Sequence, residues 1–299
     1  MKNQEKDLTH IGKYTVLGIL GQGGEGCVYL ARDERLERMA AIKRVWESGE
    51  EAREGMKREA AFLQQLRHPM LPVVYDLLWD GAWYLVMEYI QGVSLHNYIK
   101  KNGRAGEEQA QRWAEQLLDI LQYLHTRKPP VIYQDLKPEN LILCPDGNLR
   151  LVDFGAAYFR NYIGSMAEKR AVSIGYGAPE QMPQSGKDMV SDERSDIYAF
   201  GKVMYYVLTG ADPAYPPYTE LPIASYAPEI RGDWEKVLRK CMQDNPQRRY
   251  QVAEEIEKDL KKCRKHPCRK AQGYRKRFVR HIEKSVLLTE KKSAGLMAL

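Results

Sequence analysis

Asp135, Lys137, Asn140 and Asp153 place two carboxylates, an amide and a lysine around a predicted β-hairpin. Two short apolar runs flank a Pro-Asp-Gly-Asn turn, which indicates a loop, a strand, a turn, a strand and a second loop. A hairpin of this size returns the chain to its start, so we expect Asp135, Asn140 and Asp153 to converge on one cleft. Carboxylate and amide oxygens suit Mg²⁺, which usually arrives bound to substrate phosphates.

A glycine-rich stretch near the start could bring backbone N–H groups close to phosphate oxygens. Gly21, Gly23 and Gly26 have the spacing G-x-G-x-x-G, and a β-type run follows at 27–31. Dinucleotide-binding folds place a helix directly after such glycines, so the run favours a glycine-rich hairpin instead. Glycines there let the backbone approach a phosphate without obstruction by Cβ. Taken alone, the stretch could equally be a plain flexible turn.

Lys43 lies in an apolar run at 39–45, which predicts a short strand. A lysine in a strand usually faces solvent, but its position shortly after the glycines favours a role in anchoring phosphate. Apolar residues near helical period predict a helix at 50–67, and this helix contains Glu59. The same period predicts a core helix at 107–125.

These stretches resemble, in order and spacing, the motifs of eukaryotic-type protein kinases. The sequence Y-Q-D-L-K-P-E-N at 133–140 is similar to the catalytic loop of that family, and Asp153-Phe154-Gly155 to its metal-binding D-F-G. The resemblance covers roughly residues 10–262. Further matches are A-A-I-K ending at Lys43, the αC-type pattern around Glu59, S-I-G-Y-G-A-P-E at 173–180, D-x-x-x-x-G at 196–201 and N-P-x-x-R at 245–249.

The resemblance implies an α+β, two-lobed protein kinase fold. A small antiparallel-β N-lobe with helix αC would span about residues 10–88, and a larger, mainly helical C-lobe about 89–262. A basic C-terminal tail at 263–299 would follow. At 299 residues and 43% hydrophobic composition, the chain can bury a core of this size. The motifs look more like those of bacterial than of animal members.

The family further implies transfer of the γ-phosphate of ATP to Ser or Thr hydroxyls of protein substrates, including the chain itself. Asp135 would orient the acceptor hydroxyl and take its proton, and Lys137 would lie near the transferred phosphate. Lys137 also accompanies Ser/Thr specificity in this family. Lys43 would anchor the α- and β-phosphates and pair with Glu59.

The resemblance likewise implies which residues bind ATP and the metal. Asn140 and Asp153 would hold Mg²⁺, with Mn²⁺ as an alternative ion. Apolar residues from both lobes would enclose the purine, with Met87 at the back of the pocket, although such residues could equally be ordinary core. The expected nucleotide-binding residues are Leu20, Gly21, Gly23, Gly26, Val28, Ala41, Lys43, Met87, Glu88, Ile90 and Ile142.

Two further family pairings are structural. The resemblance implies that Glu180 pairs with Arg249 and that Asp196 supports the backbone of the catalytic loop. The sequence departs from the family at Tyr133-Gln134, where His-Arg is usual. We expect Tyr133 to replace the histidine in an apolar stack with Leu63, Val74 and Phe154.

The missing arginine has a regulatory consequence. In many kinases it pairs with a phosphorylated activation loop, and Gln134 cannot supply that charge. We therefore expect activity to depend little on phosphorylation of this segment, so that Ser165→Ala remains active.

The net charge of +6 is concentrated near the C-terminus. Between Lys258 and Lys284 there are twelve Lys or Arg against two Asp or Glu, so the rest of the chain is net acidic. A basic tail could contact an anionic surface, either membrane lipid or an acidic partner, and nucleic acid is less favoured. A solvated helix is the plain alternative. The oligomeric state is open.

Cysteine and hydropathy patterns indicate a cytoplasmic protein, peripheral at the membrane if the tail binds lipid. No apolar run is long enough to span a bilayer, and the first residues do not resemble a signal peptide. Cys263 and Cys268 enclose His266, but a zinc site lacks a fourth ligand, so reduced thiols are favoured.

Two other function classes fit parts of the sequence. A pseudokinase-like nucleotide-binding scaffold would keep the fold without the chemistry, but it would usually have lost a residue of the set Lys43, Glu59, Asp135, Asn140 and Asp153. Small-molecule kinases of related fold generally lack the A-P-E segment found here.

Overall fold

An antiparallel sheet forms the N-terminal part of the computed structural model, which describes residues 9–23, 26–46, 49–160, 172–182, 191–216 and 220–264. Within these ranges the strand order is β1-β2-β3-β4-β6-β5. Alternating burial along β3 shows that one face covers an apolar core. The strands are β1 (His10–Ile11), β2 (Tyr14–Gln22), β3 (Gly26–Asp33), β4 (Arg38–Val45), β5 (Val74–Trp79) and β6 (Trp83–Glu88).

Helix α1 (Glu50–Gln65) lies between β4 and β5 in the chain and packs on β5 and β6. Met56, Ala60 and Leu63 are buried at helical spacing, which explains why this amphipathic segment is stable against the sheet. The helix ends at Leu66, which has an extended backbone conformation ahead of His68-Pro69. The helix predicted at 50–67 is confirmed.

The C-terminal part is mainly helical, and α4 (Glu193–Thr209) is buried along almost its whole length. Its core includes the fully buried rings of Trp113, Phe200 and Trp234. The predicted core helix at 107–125 is confirmed, and so is the two-lobed α+β architecture. The other helices are α2 (Leu95–Asn102), α3 (Glu107–His125), α5 (Gly232–Cys241) and α6 (Ala253–Arg264).

The predicted hairpin between the loop that carries Asp135 and the loop that carries Asp153 is also present. Its strands pair in the antiparallel register Leu141 with Leu151. The N–H of Val152 donates to the carbonyl of Asn140 over 2.9 Å, which places Asn140 beside the residue before Asp153. The short strands in this part are β7 (Val93–Ser94), β8 (Val131–Ile132), β9 (Leu141–Leu143), β10 (Leu149–Leu151) and β11 (Tyr158–Phe159).

The tail and the possible zinc ligands mostly lie outside the described residues. His266 and Cys268 are beyond residue 264, as is most of the basic segment. Ser165 also lies outside the described ranges. Among the helices that are described, none combines the length and the apolar character needed to cross a bilayer.

Candidate active site

Strand β4 and helix α1 bring Lys43 and Glu59 together beneath the sheet. The Nζ of Lys43 donates to both carboxylate oxygens of Glu59, at 3.0 and 2.8 Å, and to Oδ1 of Asp153 at 2.7 Å. The Oε1 of Glu59 also accepts the backbone N–H of Phe154 over 3.2 Å. Residues far apart in the chain therefore share one ion-pair cluster at the junction of the lobes.

The charges of Lys43 and Asp153 stabilise each other, whereas burial raises the pKa of Glu59 above its ordinary value. Burial alone would lower the pKa of Lys43, but attraction to Glu59 and Asp153 outweighs it, and the net pKa is raised. Partial burial alone would raise the pKa of Asp153, but attraction to Lys43 outweighs it, and the net pKa lies below the ordinary value. Near neutral pH the lysine is a cation and Asp153 is an anion, as phosphate anchoring and metal binding require.

A second cluster surrounds the carboxylate of Asp135. The Nζ of Lys137 lies 2.7 Å from its Oδ2, and Nδ2 of Asn140 donates to the same oxygen over 2.9 Å. The hydroxyl of Ser173 donates to Oδ1 over 2.5 Å and accepts from Lys137 over 3.0 Å. Sequence reasoning found Ser173 only as a motif position, and no periodicity could have shown that its hydroxyl reaches Asp135.

Asp196 fixes the backbone that leads into this cluster. Its buried carboxylate accepts the N–H of Tyr133 over 2.9 Å and that of Gln134 over 2.8 Å. His125 lies 2.9 Å from the same carboxylate. Gln134 has φ +70°, a left-handed conformation that a non-glycine residue adopts only when its surroundings hold it there. The expected support of the catalytic-loop backbone by Asp196 is confirmed.

Tyr133 fills the position where the family has histidine. Its ring meets the Phe154 ring edge-on, with centroids 4.9 Å apart, and its hydroxyl donates to the carbonyl of Val152 over 2.6 Å. Leu63 lies in the same buried cluster and Val74 packs against it, as expected. Burial raises the pKa of Tyr133 well above its ordinary value, so the hydroxyl stays a donor throughout the neutral range.

The glycine stretch has one tight position and two open ones. A Cβ on Gly26 would lie 2.1 Å from the carbonyl oxygen of Arg44, so strand packing alone requires glycine there. At Gly21 and Gly23 an added Cβ would meet nothing within 4 Å. Internal packing therefore does not explain these two glycines.

The expected purine-binding residues lie on neighbouring strands. Ala41 on β4 pairs with Met87 on β6, and both are buried, while Val28 on β3 pairs with Lys43. Leu20, near the end of β2, is exposed, and Ile142 is half-buried on β9. Strand pairing thus aligns three of the apolar candidates, Val28, Ala41 and Met87, with Lys43.

Glu88 differs from the other candidates because its side chain is already occupied. Its carboxylate accepts from the guanidinium of Arg150 over 2.8 Å and from the backbone N–H of Val73 over 3.2 Å. Any contact with a nucleotide is therefore left to its backbone. Ile90 follows β6 in the segment between the lobes.

A buried ion pair supports the segment that ends in Pro179-Glu180. Arg249 donates to both carboxylate oxygens of Glu180, at 2.6 and 2.7 Å. The same guanidinium donates to the carbonyls of Arg194, Gln243 and Asp244. The expected pairing of Glu180 with Arg249 is confirmed.

The donor set suits a metal only when phosphate is also present. Within the described residues, no group of three or more His, Cys, Asp or Glu could hold an ion. Asp153 and Asn140 offer a carboxylate and an amide oxygen, a fitting partial shell for Mg²⁺, which commonly keeps waters and substrate phosphates as its other ligands.

The two lobes, the Lys43–Glu59 pair and the loops around Asp135 and Asp153 together define a protein kinase, and the comparison with known families agrees. The chain belongs to the family described as "Protein kinase domain", whose sequence model matches residues 14–270.

Curated relatives include serine/threonine-protein kinase PrkC of Bacillus subtilis, 31% identical over 267 residues. That alignment covers 84% of this chain and 40% of the relative. Serine/threonine-protein kinase PknB of Mycobacterium tuberculosis is 33% identical over 276 residues, with 83% and 42% covered. The chain therefore spans less than half the length of these two relatives.

A solved structure shows the same fold. The kinase domain of Mycobacterium tuberculosis PknI aligns with a TM-score of 0.65 and 23% identity, covering 85% of this chain and 97% of that one. The predicted membership in the eukaryotic-type serine/threonine kinase family, with bacterial relatives, is confirmed.

Proposed function

We propose that this chain transfers the γ-phosphate of ATP to Ser or Thr hydroxyls of proteins, itself included. One observation carries the proposal: the Lys43–Glu59–Asp153 cluster and the Asp135–Lys137 cluster are both fully formed, each with short polar contacts. Catalysis of phosphoryl transfer consists mostly of positioning and of stabilising charge, and these two clusters supply both.

Asp135 is suited to act as the base. Its Oδ1 already accepts a hydrogen bond from one hydroxyl, that of Ser173, which supports the view that this carboxylate can orient an acceptor hydroxyl. The acceptor oxygen would form a bond to the γ-phosphorus as the bond to the β,γ-bridging oxygen breaks, giving ADP and a phosphoester. The acceptor proton would pass to Asp135, a role worth about 10²–10⁴ in rate.

The remaining residues would bind the nucleotide and its metal. Lys43 would neutralise the α- and β-phosphates, and backbone N–H groups at Gly21 and Gly23 would approach them. Asp153 and Asn140 would hold Mg²⁺ or Mn²⁺, which when bound neutralises charge on the phosphates.

In this proposal the start of the activation segment, which spans residues 153–180, is held without a phosphate. The guanidinium of Arg160 donates to Glu193 at 3.0 and 3.1 Å, and the hydroxyl of Tyr158 donates to the carbonyl of Ser191 over 2.6 Å. Arg160 is half exposed, so its pair alone contributes little. Together these contacts support an active arrangement that does not need an arginine at Gln134.

The proposal divides the chain into an N-lobe at 10–88, a C-lobe at 89–262 and a basic tail at 263–299. It places the chain in the cytoplasm, peripheral at the membrane if the anionic surface that the tail contacts is lipid rather than an acidic partner. Basic residues near such a surface contribute up to about 1 kcal/mol each.

Co-sedimentation with anionic and with neutral vesicles tests the tail. Replacing Arg275, Lys276 and Arg277 with Gln should reduce binding to anionic vesicles only. Equal binding of wild type and variant to anionic vesicles would remove the membrane assignment.

Labelled ATP with a generic basic protein tests the activity. We expect label on serine or threonine, and its loss in Lys43→Met and after chelation of divalent metal. The pseudokinase-like scaffold would instead bind ATP and transfer nothing. Label on tyrosine alone would contradict the assigned specificity.

A further inference from the structure

The glycine-rich turn is fixed to the sheet at its C-terminal end, Gly26. Gly26 pairs with Val45 on β4, and the N–H of Gly23 donates to the carbonyl of Gly26 over 2.9 Å. Because a side chain at Gly26 would collide with the carbonyl of Arg44, the turn lies close against β4. The N-terminal end is held by backbone pairing of Gly21 with Val28, but a Cβ at Gly21 or Gly23 would meet nothing within 4 Å.

One side chain also contacts the N-terminal end of the turn. The indole N–H of Trp46 donates to the carbonyl oxygen of Gly23 over 2.9 Å. The indole ring is itself held, because it packs against the buried cluster of the N-lobe, and the guanidinium of Arg44 lies 5.6 Å from its centroid. Trp46 directly follows β4, the strand that carries Lys43.

We propose that Trp46 is a positioning residue that holds the phosphate-binding turn at a fixed distance from Lys43. This inference rests on the proposed function, since it assigns the turn to ATP phosphates. The same strand sets the lysine on one side of the phosphates and, through the indole, the backbone of Gly23 on the other. A turn held in place before binding loses less conformational entropy when the ligand arrives, so it binds more tightly.

Trp46→Phe tests the proposal because it keeps an aromatic ring and removes the donor. The carbonyl of Gly23 would then bond to water, and Gly23 would keep its backbone bond to Gly26 but lose its side-chain anchor. A single hydrogen bond of this kind corresponds to a dissociation constant for Mg-ATP that rises about two- to tenfold. Adenosine has no phosphates, so its affinity should change by less than about twofold under the same reasoning.

Trp79→Phe is the matched control, since this exposed indole lies at the end of β5, away from the glycine turn. It should leave both affinities and the melting temperature unchanged. Trp46→Phe with wild-type affinity for Mg-ATP would overturn the proposal. Equal weakening of Mg-ATP and adenosine would also overturn it, because that pattern indicates general damage to the lobe. A wild-type chain that binds neither ligand would refute the proposed function itself.

Discussion

The ion pair between Glu180 and Arg249 is buried in the C-lobe, and removing one partner should destabilise the fold strongly. The side chains are 3% and 0% exposed, and the guanidinium also donates to three backbone carbonyls. Glu180→Gln keeps the shape of the side chain but leaves a buried cation without its counter-charge. Breaking a buried pair in this way costs about 3–5 kcal/mol.

Urea unfolding followed by circular dichroism measures this cost directly. For a domain of this size, a loss of about 3–5 kcal/mol corresponds to a melting temperature lowered by roughly 6–20 °C. The exposed pair of Glu108 and Arg112, which are 85% and 59% exposed, provides the control. Glu108→Gln should cost less than about 1 kcal/mol. Similar losses in the two variants would refute the reasoning from burial.

Three further predictions concern the site and its regulation. Tyr133→Phe leaves the partly buried carbonyl of Val152 without its donor, so urea unfolding should show a loss of about 0.5–1.5 kcal/mol, and no loss would contradict the contact. Because the pKa of Asp153 is lowered, its ion pair stabilises the fold above the ordinary value of 3.8 and is lost as pH falls through the lowered pKa. The melting temperatures of wild type and Asp153→Asn should therefore converge only in acid. Convergence near neutral pH would contradict the lowered pKa of Asp153. Ser165→Ala and phosphatase-treated wild type should both retain activity in a peptide assay, and their inactivation would show that a loop phosphate is needed after all.

The sequence predicted the parts of the site whose residue types are dictated by chemistry. A base, a phosphate-anchoring cation and oxygen ligands for a metal admit few side chains, so Asp135, Lys43, Asn140 and Asp153 stood out by type and order. The convergence of Asp135, Asn140 and Asp153 followed from the hairpin, because antiparallel register fixes where each loop begins.

Other contacts could not be predicted because they depend on where individual side chains point. The hydroxyl of Ser173 on Asp135, the carboxylate of Glu88 on Arg150 and the indole of Trp46 on Gly23 all join distant positions. Hydrophobic period identifies the buried face of an element but not the direction of a single polar group. Glu88 illustrates this, since its carboxylate lies against Arg150 and leaves only its backbone for the expected contact with a nucleotide.

The role of Asp135 is the central claim, and single-turnover phosphoryl transfer by Asp135→Asn tests it most directly. Asn keeps the size of the side chain and a hydrogen-bond acceptor but cannot take the proton of the acceptor hydroxyl. With Mg-ATP affinity unchanged, we predict a rate of transfer about 10²–10⁴ times lower than wild type. A rate within about tenfold of wild type would contradict the assignment of Asp135 as the base.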